Sequence, residues 1–158
     1  VDTGIGLNIF APDDTQQAPL GSIVEYQTPS NGLQFWRYIK NESGGNFAAG
    51  EVIAQEATTD FNKGIKAPTT TAVPRLLGVA QYAIADTQFG WVLVSGIGEV
   101  MADTAGITAN FGVMTGAATA GRAQDFAAGA GVEERAFAFA ADTAAAGALA
   151  TCKIAIPL

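Results

Sequence analysis

Short apolar runs, alternating or continuous, follow one another from Gly21 to the C-terminus, each broken by Gly, Asn, Asp or Pro, and this rhythm predicts strands rather than helices. The predicted strands are Ser22 to Thr28, Leu33 to Asn41, Glu51 to Ala57, Leu76 to Ile84, Trp91 to Ser95, Ile97 to Ala102, Phe111 to Thr115, Glu134 to Ala140 and Thr151 to Ile156. Two Ala-rich stretches, Gly116 to Gly131 and Ala140 to Ala150, have helical composition, but each interior Gly costs about 1 kcal/mol relative to Ala in a helix. The first therefore reads mostly as loop, and the second allows one short helical turn.

Two strands carry apolar groups on both faces. Leu33, Phe35, Arg37 and Ile39 point one way and Gln34, Trp36, Tyr38 and Lys40 the other, while Trp91 and Leu93 oppose Val92 and Val94. Such strands need cover on both sides, inside a sandwich or barrel or beneath a partner. The expected fold class is all-β: an antiparallel β-sandwich or β-barrel-like domain with an extended N-terminal arm. Asn31-Gly32 supplies the positive φ angles of a hairpin turn, a second hairpin runs through Ala85 to Gly90, and Ala67 to Pro74 reads as an exposed loop.

Residues 1–20 form the expected arm, and 21–158 a single β domain. Gly4, Gly6, Pro12, Pro19 and the polar run Asp13 to Gln17 give the arm neither periodicity. Its apolar residues Ile5, Leu7, Ile9 and Phe10 are candidates for burial in the parent domain or in a neighbouring subunit. Downstream there is an internal echo. Leu77 to Ala80, Ala85-Asp86-Thr87 and Trp91 to Val94 parallel Arg135 to Ala138, Ala141-Asp142-Thr143 and Thr151 to Ile154, at a spacing too uneven to define a repeat.

Charge narrows the function. With 15 acidic against 8 scattered basic residues and net charge −7, the chain repels a phosphate backbone, so no nucleic-acid partner is expected. Charged residues make up only 15 % of the chain, leaving a neutral surface that is easily desolvated against copies of itself or a partner. No apolar run is long enough for a membrane span. Histidine is absent, which removes the commonest general base and metal ligand. Asp13-Asp14, Glu133-Glu134, Asp103 and Asp125 leave carboxylate chemistry open in principle, but adjacent acids in an arm or strand point apart, so no catalytic residue is assigned. Neither a metal nor a cofactor is expected: the single thiol, Cys152, sits in an apolar run, no calcium-loop pattern occurs, and Gly4-Ile5-Gly6 and Gly96-Ile97-Gly98 do not complete a dinucleotide fingerprint. Asn41-Glu42-Ser43 fits a glycosylation sequon by pattern alone.

Large amphipathic rings dominate protein–protein hot spots, which makes Trp36, Tyr38, Phe89 and Trp91 the aromatic candidates, with a packed β core as the alternative and the better reading for Trp91. The candidate interface residues are Ile5, Leu7, Ile9, Phe10, Trp36 and Tyr38.

The run Leu77-Gly78-Val79-Ala80-Gln81, the loop ending Phe89-Gly90, and Trp91-Val92-Leu93-Val94-Ser95-Gly96 resemble the accessory head proteins of tailed bacteriophages, called decoration or cement proteins. The resemblance runs from position 76 to the C-terminus and is one of rhythm rather than of a catalytic signature. It implies a β-sandwich or barrel-like virion protein on the outer surface of the capsid, bridging subunits of the major capsid protein and self-associating as a trimer or dimer. The alternative is a β-sandwich recognition module of a phage fibre or adhesin that binds a receptor or carbohydrate.

Overall fold

A computed structural model describes residues 8–56, 60–69, 75–126 and 136–157. Among them lie ten strands and no helix: β1 (Ile23–Thr28), β2 (Gly32–Asn41), β3 (Val52–Gln55), β4 (Lys63–Lys66), β5 (Leu76–Ala80), β6 (Phe89–Met101), β7 (Gly112–Thr115), β8 (Ala123–Asp125), β9 (Ala136–Ala140) and β10 (Leu149–Ala155). The all-β expectation holds, in its barrel form.

The sheet closes on itself twice. The order β2-β4-β3-β5-β6 returns to β2 through a β2–β6 pairing, which makes a first barrel. From β6 the sheet continues through β10, β9, β7 and β8, and β8 returns to the end of β6 through a parallel bridge between Ala102 and Ala123, which makes a second. The predicted strands Trp91 to Ser95 and Ile97 to Ala102 are thus one long strand, β6, that serves both barrels. Gly96, at φ 121°, supplies the bend between its halves.

The second barrel repeats the first about 60 positions on. The β3–β5 register Val52↔Val79, Ile53↔Gly78, Ala54↔Leu76 reappears as Gly112↔Phe139, Val113↔Ala138, Met114↔Ala136, with the bulge at the same step. Val79↔Leu93 and Ala80↔Val92 reappear as Phe139↔Lys153 and Ala140↔Cys152. Phe47 and Ile84 exchange backbone hydrogen bonds as Ile107 and Ala144 do, and left-handed Gly50 and Thr87 correspond to left-handed Asn110 and Gly147. The sequence echo therefore marks a true structural repeat. Only Trp91 to Val94 and Thr151 to Ile154 are in step, however, because Leu77 corresponds to Phe137 and not to Arg135, and Ala85 to Ala145 and not to Ala141.

Each barrel has its own apolar filling. Ile39, Ile53, Leu77, Val92, Phe47 and Ile84 fill the first, and Gly64 leaves them room: a Cβ there would lie 2.7 Å from Ile53 Cγ2. Their counterparts Val100, Val113, Phe137, Cys152, Ile107 and Ala144 are buried in the second, with Ala123 in place of Gly64. Cys152 is accordingly a core residue at the position of Val92. Burial, followed by the nearby Asp142 charge, pushes its thiol pKa up to about 12.

Several local expectations are corrected. The β1–β2 turn is a three-residue loop, Pro29 to Asn31, closed by Gly32 at φ 68°; Asn31 is not left-handed, and its N–H is held by Thr28 Oγ1 at 2.8 Å. The helical turn allowed within Ala140 to Ala150 is absent, because the segment is too short to repay helix nucleation and instead bridges Ile107 and turns at Gly147. Ala67 is buried rather than exposed, its N–H bonded to Val52 and its carbonyl to Gly121. Asn41 cannot serve as a glycosylation site in the fold: it is fully buried, and its amide donates to the carbonyls of Gly45 and Ile84.

Candidate interaction surface

The outer face of the first barrel carries the aromatic candidates. Tyr38 and Trp91 are directly opposed on β2 and β6, with ring centroids 4.9 Å apart, and Tyr38 stacks on Phe89 at 6.1 Å. Residues 8–20 lie across this face. Ile9 is fully buried, and Phe10 stands edge-on to both Trp36 and Tyr26 at 5.4 and 5.5 Å. The Gln17 N–H donates to Tyr38 Oη at 3.0 Å, and Tyr38 Oη donates to Asp13 Oδ2 at 3.3 Å. Asp13 exchanges both backbone hydrogen bonds with Phe89, and Gln88 donates to Asp14. Burial raises the pKa of Tyr38, the neighbouring Asp13 carboxylate adding to the effect. Burial also raises that of Tyr82, whose oxygen accepts the Trp91 N–H at 2.7 Å.

Of the candidate interface residues, Trp36 and Tyr38 are thus enclosed by the chain's own strands and its residues 8–20, with Ile9 beneath the cover and Phe10 at its half-exposed rim. Ile5 and Leu7 lie outside the described residues, as do Glu133 and Glu134. The other carboxylates are dispersed: Asp13 and Asp14 sit on the covering segment, Asp125 Oδ1 accepts the Thr108 N–H, and Asp103 is buried. Among the described residues no group of three or more Cys, Asp or Glu side chains is placed to hold a metal ion.

Asp103 has a structural task. Its Oδ2 accepts the N–H groups of Ala118 and Thr119 at 2.8 and 3.2 Å, which pins the 116–121 turn over the second barrel. Burial pushes its pKa up, but the N–H donors, with Thr104 among them, outweigh burial and leave it below the ordinary value. The equivalent acid in the first barrel, Glu42, is instead paired with Lys40 and Lys63 at 2.6 and 3.3 Å.

Two features join the barrels. A Cβ at Gly98 would collide with Leu93 Cδ2, and one at Gly50 with Leu149 Cδ2 while also approaching Met101 N at 2.7 Å, so both glycines mark backbone pressed against a neighbouring element. Gln81 bonds the backbone of Glu99 on both its N–H and its carbonyl. Together these lay the second half of β6 across the first barrel's outer face, covering Val79 and Leu93. The Gly96-Ile97-Gly98 motif is therefore a bend and a close approach.

Among the described residues nothing covers the second barrel's outer face. Phe139 and Ile97 are 51 % and 37 % exposed, Lys153 and Glu99 are exposed, and Phe111 and Leu149 stand at the margins. Sequence reasoning missed this face because its residues, isolated in short strands, carry no signal until the register brings them side by side.

No family model and no curated protein matches the chain. Among solved structures, the fold is similar to that described as "the crystal structure of head fiber gp8.5 N base in bacteriophage phi29". The likeness has a TM-score of 0.53 at 20 % sequence identity and covers 75 % of this chain and 93 % of that one. The two chains share a fold.

Proposed function

We propose that this chain is a structural protein of a tailed-phage head, a decoration protein that binds the outer surface of the assembled shell and bridges neighbouring major capsid subunits, without enzymatic activity. The observation that carries this reading is the fold shared with a phage head-fibre base across nearly the whole of that chain, together with the independent resemblance of Leu77 to Gly96 to decoration proteins. Composition supports it: a sparsely charged surface is desolvated at low cost, and weak contacts multiply over the symmetric copies of a shell. Self-association as a dimer or trimer belongs to the same reading.

The neighbour's being the base of a fibre favours one alternative, a fibre or adhesin module that engages a receptor or carbohydrate. Mass spectrometry of purified particles separates the two. On the order of hundreds of copies per particle, matching the many equivalent lattice sites of a symmetric shell, and co-sedimentation with empty expanded shells support decoration. A dozen copies or fewer, with glycan or receptor binding by the isolated protein, would replace it with the fibre reading.

A further inference from the structure

The internal repeat allows one face of the fold to be compared with itself. Around the first barrel, the outward positions Ala67, Val52, Val79, Leu93 and Trp36 are 0–2 % exposed. Phe10 of the covering segment packs on Trp36, and the crossing half of β6 lies against Leu93 at Gly98. The corresponding positions around the second barrel are Phe126, Gly112, Phe139, Lys153 and Ile97. They are contiguous, since Gly112 pairs with Phe139, Phe139 with Lys153, and Lys153 with Ile97 in register, and Phe126 lies against Gly112. This face is packed in one barrel and open in the other, and its apolar side chains persist where none of the described residues covers them.

The charges on the open face specify an occupant. Lys153 and Glu99 sit on neighbouring strands, two residue pairs apart and on the same face, and among the described residues neither forms an ion pair. An acidic partner would satisfy only the lysine, and a basic partner only the glutamate. A two-fold copy presents the same pair in reverse order, so that each lysine meets the other chain's glutamate across a shared apolar row. It also places a cation where two chains of net charge −7 would otherwise repel.

We propose that the outer face of the second barrel, along Phe126, Phe139, Lys153 and Ile97, is the surface on which a second copy of this chain docks, with Lys153 and Glu99 paired reciprocally. The proposal rests on the self-association put forward above and names its surface.

Sedimentation velocity on the full chain from roughly 1 to 100 µM, a span that brackets affinities of that order, tests it. The wild type is expected to dimerise with concentration, and Phe139→Glu to remain monomeric with an unchanged urea midpoint. Lys153→Glu and Glu99→Lys should each weaken the dimer roughly tenfold or more, and the double exchange should restore it. A Phe139→Glu variant that still dimerises, or a double exchange that does not recover, overturns the surface while leaving self-association standing. A wild type monomeric throughout overturns self-association and the proposal with it; if Phe139→Glu then also loses binding to capsids, the face belongs to the shell. Should Phe139→Glu fail to fold, the two charge variants and their exchange decide alone.

Discussion

Gln81 and Glu99 meet in a closed two-bond ring: the Gln81 side-chain oxygen accepts the Glu99 N–H at 2.8 Å, and its nitrogen donates to the Glu99 carbonyl at 2.9 Å. One amide thereby imitates a strand neighbour and fastens the second half of β6 to the end of β5. Gln81→Ala hands both exposed backbone groups to water, and a loss of about 0.5–1.5 kcal/mol in urea unfolding is expected. Faster amide exchange at Glu99 than at Val100 would locate the damage, whereas an unchanged midpoint would mean that the ring contributes nothing net.

Gly98 and Gly45 make a matched pair. A Cβ at Gly98 collides with Leu93, one at Gly45 meets nothing within 4 Å, and neither residue has a positive φ. Gly98→Ala should cost about 1–3 kcal/mol through overpacking, and Gly45→Ala should lie within about 0.5 kcal/mol of the wild type, as surface changes do. Equal effects in chemical denaturation would show that the barrels can shift apart at this point.

Asp103 makes stability depend on pH. Its folded pKa lies below the ordinary value, so its contribution is fully present above the pKa of the unfolded chain and is lost as pH falls through the lower folded value. Asp103→Asn keeps the shape but loses the charge-assisted bonds to Ala118 and Thr119. The variant should be less stable by about 1–3 kcal/mol at neutral pH, and the gap should narrow on acidification below the ordinary carboxylate range. A gap that stays constant with pH would assign the effect to packing.

Cys152 should resist alkylation. With its thiol at the centre of the second barrel and its pKa pushed up to about 12, little thiolate exists at pH 8. Labelling by iodoacetamide should therefore follow global unfolding across a urea titration, and rapid labelling in the native state would contradict the burial. Cys152→Val, which copies Val92 of the first barrel, should cost less than about 1.5 kcal/mol.

Trp36→Ala tests the aromatic face. The ring is 1 % exposed and packed against Phe10, so truncation should cost about 3–5 kcal/mol. A variant that stayed fully stable yet lost particle binding would instead make Trp36 an anchor for a partner.

Much of the strand pattern was legible because most strands carry large apolar residues at alternating or continuous positions. β4 and β8 were not, for one physical reason: their inward residues are the buried Gly64, where a Cβ would crowd Ile53, and the buried Ala123, and a small inward residue leaves no hydrophobic signal. The repeat was faint for a related reason. Equivalent core positions hold Ile84 and Ala144, or Gly64 and Ala123, so volume is redistributed between the barrels while the backbone is kept. Trp36 and Tyr38 were recognised as important rings, but only the path of residues 8–20 reveals what lies over them.

Because Phe89–Met101 is the last stave of one barrel and the first of the next, it cannot be drawn out of either barrel along its whole length without leaving both. A load entering at one end is therefore handed to the other along one continuous peptide backbone, with the Gln81 amide as a second tie beside it.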